Sequence, residues 1–229
     1  MKVEIWSDIM CPFCYIGKRR FEQALEHAGI TEPVEVVWKS FQLDPHLEYV
    51  PGRTTHEMLA EKKGWTTDYA KDVSNQVSGM AAQLGLQYDF DKAVPANTLD
   101  AHRLSHLAAK HGVQNEVEEQ LFSAYFTEGK NVGDAETLVQ IGAKAGIPEA
   151  ETRNMLAGDT YQQEVSKDIA EGASLGVRGV PFFVFNRQYA ISGAQPLEVF
   201  TQTFHKVLEE EKSAGNETAG AVCTPDGDC

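Results

Sequence analysis

The sequence predicts an α/β fold in which a large all-helical domain is inserted between a βαβ half and a ββα half. Three observations carry this. The β-like runs fall at the two ends of the chain, at residues 3–9, 34–41, 180–185 and 189–191. Between about residues 54 and 176 the apolar side chains recur at helical spacing, broken by glycine and proline. Cys11-Pro12-Phe13-Cys14 joins the first strand to the first helix.

Residues 3–9 form a short strand with partial alternation. The helix over 15–28 carries Ile16, Phe21, Ala24, Leu25 and Ala28 on one side, and Gly29 stops it. Residues 34–41 supply the second strand, and a strand–helix–strand unit implies parallel pairing. Helices are then expected over 54–63, 67–84, 97–110, 116–126, 134–145, 148–156 and 161–175, with Asp134 as an N-cap and Pro148 near a helix start. Strands return at 180–185 and 189–191, joined by a tight connection at Asn186-Arg187-Gln188, and a last helix spans 197–211. Residues 1–42 and 177–212 thus make one discontinuous domain, 43–176 the helical insertion, and 213–229 a flexible tail. An insertion costs little when its own ends lie close together.

The 229 residues, 42% hydrophobic, are enough to bury a substantial core. A formal net charge of -14 argues against nucleic acid and against anionic membranes as partners, since both need a concentrated basic surface. Met1 to Ile5 runs straight into the first strand without a leader pattern, and no stretch is apolar enough to span a bilayer. A cytoplasmic protein is therefore expected, where four cysteines serve catalysis or metal binding rather than structural disulfides.

Two cysteines separated by two residues on a first helical turn lie close enough for one to attack a disulfide and the other to release it. Cys11 would occupy the strand–helix junction, where free backbone N–H groups and the positive helix end favour a thiolate. Cys14 would sit one turn in as the resolving thiol. Pro12 suits the first helical position, and Phe13 offers an apolar face to a substrate. Zinc would require further ligands at short spacing, and none stands near the pair, so no metal and no organic cofactor is expected.

Asp8 precedes Cys11 by three residues, and Lys39 lies near the far end of the second strand. Parallel pairing would bring the two together, with Asp8 relaying the proton that Cys14 loses and Lys39 keeping it ionised. Pro181 opens a strand directly after Val180, which leaves the isomer of that bond open; a cis bond would present Val180 as a backbone edge for an extended substrate beside Cys11. His102 and His106 share a helical face but lack the other features of a zinc site, so surface or packing histidines are expected. Phe122, Tyr125 and Phe126 are expected in the core. Near the C-terminus, Cys223 and Cys229 flank a turn-forming Pro225-Asp226-Gly227 and form a possible auxiliary redox pair able to exchange with Cys11 and Cys14.

The run Trp6-Ser7-Asp8-Ile9 leading to Cys11-Pro12-Phe13-Cys14-Tyr15-Ile16-Gly17, followed beyond the helical insert by Gly176 to Phe185, resembles the DsbA-like branch of the thioredoxin superfamily. With Tyr189 to Gln195 added, the sequence is most similar to the FrnE-like thiol oxidoreductases. The resemblance implies a thioredoxin-like fold, Cys11 as nucleophile, Cys14 as resolving residue, Pro181 as a cis-proline and Asp8 as the acidic residue near the dithiol. It implies thiol or disulfide partners, protein or small molecule, glutathione among them, and a redox partner for turnover. DsbA itself carries histidine before its second cysteine, where this chain has Phe13. Kappa-class glutathione transferases and 2-hydroxychromene-2-carboxylate isomerases share the architecture but use a serine near the first helix. Cysteine at both 11 and 14 argues against that chemistry; a non-catalytic peptide-binding or chaperone role is the remaining alternative.

Overall fold

A computed structural model describes residues 1–219, so Cys223 and Cys229 lie outside the described residues. The chain opens with β1 (Lys2–Ser7), α1 (Pro12–His27) and β2 (Glu35–Ser40). The inserted helices are α2 (Thr55–Lys63), α3 (Thr67–Ala82), α4 (Leu99–Lys110), α5 (Gln114–Phe126), α6 (Ala135–Lys144), α7 (Glu149–Ala157) and α8 (Gln162–Ser174). Then come β3 (Phe182–Phe185), β4 (Tyr189–Ser192) and α9 (Leu197–Ala219), which continues beyond Glu211, where the apolar stripe of the last helix ends. The sheet has the order β2-β1-β3-β4, with β1 and β2 parallel and the other two pairs antiparallel. This is a thioredoxin-like core interrupted by a large helical region, as the pattern of the sequence predicts.

Local chemistry explains the helix starts. Thr54 accepts from the Glu57 N–H while the Glu57 side chain returns to the Thr54 N–H, and Thr66 and Asp134 accept from Tyr69 and Thr137. Each such cap stabilises its helix by about 1 kcal/mol.

Both faces of the sheet are covered, which is why β1 is buried along nearly its whole length. On one face Phe183 stacks with Phe21 of α1, ring centroids 5.8 Å apart, and meets Phe200 of α9 edge-on at 4.9 Å. On the other, Trp6 lies under α8, its indole N–H donating to the Asp168 carbonyl at 2.8 Å. Burying each of these rings contributes about 1.5–3 kcal/mol.

The insertion docks on the β2 edge. Phe122 of α5 stacks on Tyr15 at 5.0 Å and meets Trp38 edge-on at 6.2 Å. The Gln114 side chain completes the strand's hydrogen bonding, accepting from the Trp38 N–H and donating to its carbonyl, both at 3.0 Å. The main apolar core therefore runs from Phe185 through Phe21 to Leu121 and Phe126, and a smaller cluster of Trp6, Val177 and Val184 lies on the other face. Among the described residues no helix is long and apolar enough to cross a membrane.

Candidate active site

The chain turns sharply between β1 and α1 because the Cys11 N–H donates to the Asp8 carbonyl at 3.0 Å. Cys11 is the N-cap of α1, with extended backbone and Pro12 starting the helix. Its thiol lies 3.5 Å from the Val180 carbonyl oxygen. One turn along, the Cys14 N–H donates to the Cys11 carbonyl at 3.0 Å. Both cysteines are buried free thiols, and Cys11 is the one that lines a cavity. Burial pushes the Cys14 thiol well above its ordinary range, and the Cys11 sulfur adds to the rise. Ser7 and the Asp8 backbone N–H draw it partly back.

The Val180–Pro181 peptide bond is cis. Gly17 lets α1 approach this corner, since a Cβ there would stand 2.9 Å from Pro181 Cγ. On the insertion side, the Tyr88 hydroxyl donates to the Pro12 carbonyl at 2.8 Å, tying the loop before α4 to the dithiol turn. The Tyr88 phenol is pushed up by burial and then by the charge of Cys11.

A cavity of about 510 Å³ opens directly on Cys11. Phe13 and Val180 border it, α2 and α3 of the insertion wall it with Met58 and Val77, and Lys62 and Lys63 stand at its rim. Phe13 is 41% exposed here. The three aromatic residues of α5, Phe122, Tyr125 and Phe126, are core as expected, and Tyr125 also lines the cavity. A larger hollow, about 580 Å³, lies between α1 and β2 beside Phe21 and Trp38, away from the cysteines.

Asp8 is fully buried. One carboxylate oxygen accepts from the Leu43 N–H at 2.7 Å, and the other lies 3.4 Å from His102 Nε2. Lys39 does not join it, which corrects the expected pairing. In the observed register Lys39 stands opposite Trp6, and its ammonium reaches Asp168 at 2.8 Å and Glu171 at 3.1 Å on α8. The reason is the turn. β1 ends at Ser7, so Asp8 leaves the strand's alternation and points toward α4, while Lys39 stays on the Trp6 face. Burial opposes the charged form of Lys39, but the bonds to Asp168 and Glu171 outweigh it and hold the ammonium above its ordinary range.

His102 and His106 are more than packing residues: His106 Nε2 lies 3.2 Å from Asp168, as His102 lies against Asp8. Their spacing along one face of α4 was visible in the sequence, but the carboxylates they meet come from β1 and α8. Tyr88 carries no sequence signal, because its relation to the dithiol depends on long-range packing; Ser7 and Gly17 stand in the motif around the dithiol, but their contacts do not follow from it. Among the described residues no group of three or more His, Cys, Asp or Glu side chains forms a candidate metal site.

A family model described as a DSBA-like thioredoxin domain matches residues 2–205. The crystal structure of a probable DsbA oxidoreductase from Streptomyces coelicolor is 38% identical, with a TM-score of 0.86 over 99% of this chain and 97% of that one. The uncharacterized protein YwbO of Bacillus subtilis (strain 168) is 28% identical over 218 residues, covering 92% of this chain and 97% of YwbO. The cytosolic disulfide reductase DsbM from Pseudomonas aeruginosa, solved with GSH, shares the fold at 15% identity and a TM-score of 0.63 over 91% of this chain and 100% of that one. On the match to nearly its whole length, the chain belongs to the DSBA-like thioredoxin domain family.

Proposed function

We propose that the protein is a thiol–disulfide oxidoreductase of the FrnE-like kind, working through Cys11 and Cys14. The observation that carries this is the placement of Cys11: a free thiol at the N-cap of α1, bordering an apolar cavity, with a second thiol one turn beneath it. In the reductive direction the Cys11 thiolate attacks a substrate disulfide, and the departing sulfur takes the electron pair of the broken S–S bond. Cys14 gives its proton to solvent and its sulfur attacks Cys11 in the mixed disulfide, forming the Cys11–Cys14 bond as the bond between Cys11 and the substrate breaks; the substrate's second sulfur leaves as a thiolate and is protonated by solvent. The dithiol has then given up two electrons, and the reverse sequence oxidises a substrate dithiol. Bond exchange needs only these sulfurs, and turnover needs a redox partner.

Val180 and Pro181 serve as the edge along which an extended substrate lies, and Phe13 as an apolar contact beside the reacting sulfur. Asp8 is the acidic group behind the dithiol. Substrates are protein or small-molecule thiols and disulfides; the glutathione bound to DsbM makes glutathione the first small thiol to try. Residues 1–42 with 177–212 carry the chemistry, and 43–176 shape access to it. An exchange role for Cys223 and Cys229 belongs to the same reading, and deleting residues 215–229 tests it through the reduction rate.

Replacing Cys11 by serine should abolish reduction of a mixed glutathione disulfide and oxidation of a dithiol peptide. Replacing Cys14 should trap the substrate on Cys11 as a stable mixed disulfide. Exchange that survives Cys11→Ser would overturn the reading. Glutathione-dependent turnover undiminished in Cys14→Ser would point instead to a transferase or isomerase, and client protection persisting in the double variant to a chaperone.

A further inference from the structure

Two polar atoms behind the dithiol turn face each other with nothing else to bond. Asp8 Oδ1 and His102 Nε2 lie 3.4 Å apart, both side chains are buried, and neither atom has a hydrogen-bond partner among the described residues. The Leu43 N–H, 2.7 Å from the other carboxylate oxygen, keeps the carboxylate from turning away. A buried polar atom left without a partner is destabilising. One proton between them satisfies both.

We propose that Asp8 and His102 hold one proton in common, and that His102, acting through Asp8, sets how readily Cys14 ionises during resolution of the mixed disulfide. His102 is thus a positioning residue that the inserted helices contribute to the chemistry of the sheet domain. This rests on the exchange reaction proposed for Cys11 and Cys14.

Resolution requires the Cys14 proton to leave before its sulfur attacks Cys11, so negative charge develops on a sulfur shut away from water. The backbone N–H of Asp8 draws the Cys14 thiol back toward its ordinary range, and the carboxylate is carried three bonds from that nitrogen on the same residue. With the shared proton in place the Asp8–His102 pair is neutral and leaves the new thiolate unopposed. With the imidazole removed, the carboxylate is a bare charge of the same sign as the thiolate, in surroundings that screen charge poorly.

Neighbouring groups do not supply an alternative cation. Among the described residues His102 is the basic side chain within ion-pair distance of Asp8. From α5, Glu118 and Tyr125 face the pair and register its charges. The Glu118 carboxyl is pushed up by burial and drawn back by Ser105 and then His102; the Tyr125 phenol is raised by burial and then by Asp8. From α1 come Cys11, Cys14 and Lys18, the last engaged by Glu22 and Glu119. β2 and α8 bring Lys39, Asp168 and Glu171, bonded to one another and to His106. Glu151 of α7 binds Lys110 and His111 at the far end of α4, and Glu136 and Lys144 of α6 are exposed.

The test uses the full chain with Cys11 loaded as a mixed disulfide with 5-thio-2-nitrobenzoate, whose release reports attack by Cys14. His102→Gln should slow release at neutral pH about tenfold, the effect of a one-unit shift in ionisation, and move the rise in rate to higher pH. Asp8→Asn in the same chain should restore most of the rate, because it removes the bare charge. A His102→Gln profile that superposes on the native one, or a loss that Asp8→Asn does not relieve, would overturn the proposal. If His102→Gln does not fold, the native protein still decides: the His102 imidazole nitrogen resonances should move on oxidation of Cys11 and Cys14, and their constancy would overturn it. Absence of any release in the native protein would instead bring down the exchange reading itself.

Discussion

Asp8 and Asp168 are both buried aspartates, and each meets a histidine from the same face of α4, yet their surroundings differ. Asp168 is saturated: Lys39 reaches it at 2.8 Å, the Ser40 N–H at 3.0 Å and His106 at 3.2 Å. Burial works against its charge, but these partners prevail and hold its carboxyl below the ordinary range. Asp8 receives the Leu43 N–H on one oxygen and keeps the other without a hydrogen bond, at the turn that leads into Cys11. A carboxylate with partners on both oxygens fixes elements in place; one whose second oxygen meets only a histidine can hold a proton there. The first clamps α8 to β2, and the second lies where chemistry is proposed.

The sharpest way to break this division is to remove the saturated carboxylate. Asp168→Ala should cost about 3 kcal/mol in urea denaturation, since it strands the Ser40 N–H and leaves the partly buried Lys39 with Glu171 alone, while exchange per folded molecule stays unchanged. Slower exchange at intact stability would assign Asp168 to the chemistry instead. The same aspartate sets a pH dependence. Its folded value lies below the unfolded 3.8, so its stabilisation is complete above that pH and fades as pH falls through the lower folded value. Acid unfolding of Asp168→Ala should lack that portion.

Glycines at the two sites give a smaller contrast. A Cβ at Gly172 would stand 2.8 Å from Trp6 Nε1, and one at Gly17 would stand 2.9 Å from Pro181 Cγ. Each alanine substitution should lower stability by about 1–3 kcal/mol in thermal melts. Gly172→Ala should leave exchange intact, whereas Gly17→Ala should slow it by displacing Pro181. Equal rates in the two variants would separate Pro181 from the substrate path. The smallest stability effect belongs to Asp8→Asn, where the amide oxygen can still accept from Leu43. A change within about 1 kcal/mol is expected, with the altered pH profile of exchange as its main signature.

Much of the scaffold was legible without coordinates. Apolar spacing placed α3 with Val77 and Ala81 inward and α9 with Phe200, Phe204 and Val207 inward, because a helix facing a core repeats its buried positions locally. Asp134 was recognisable as a cap because capping involves residues three apart. Cys11 and Cys14 stood out for the same reason: their relation is contained in four residues. Lys39 was misassigned because strand pairing alone was used to place it. A parallel register says which backbones are adjacent, but a turn at the end of β1 decides which way Asp8 points.

What the sequence determined by itself is the order of elements, the helix carrying two thiols at its start and the proline-led strand that returns from the insertion. These follow from periodicity and turn chemistry, which act over a few residues. Tertiary structure alone decided that His102 meets Asp8, that Lys39 and His106 meet Asp168, and that Tyr88 caps the dithiol turn. Those contacts depend on how α4 and α8 lie across the sheet, and packing of whole elements sets that, whatever the short-range pattern of either partner.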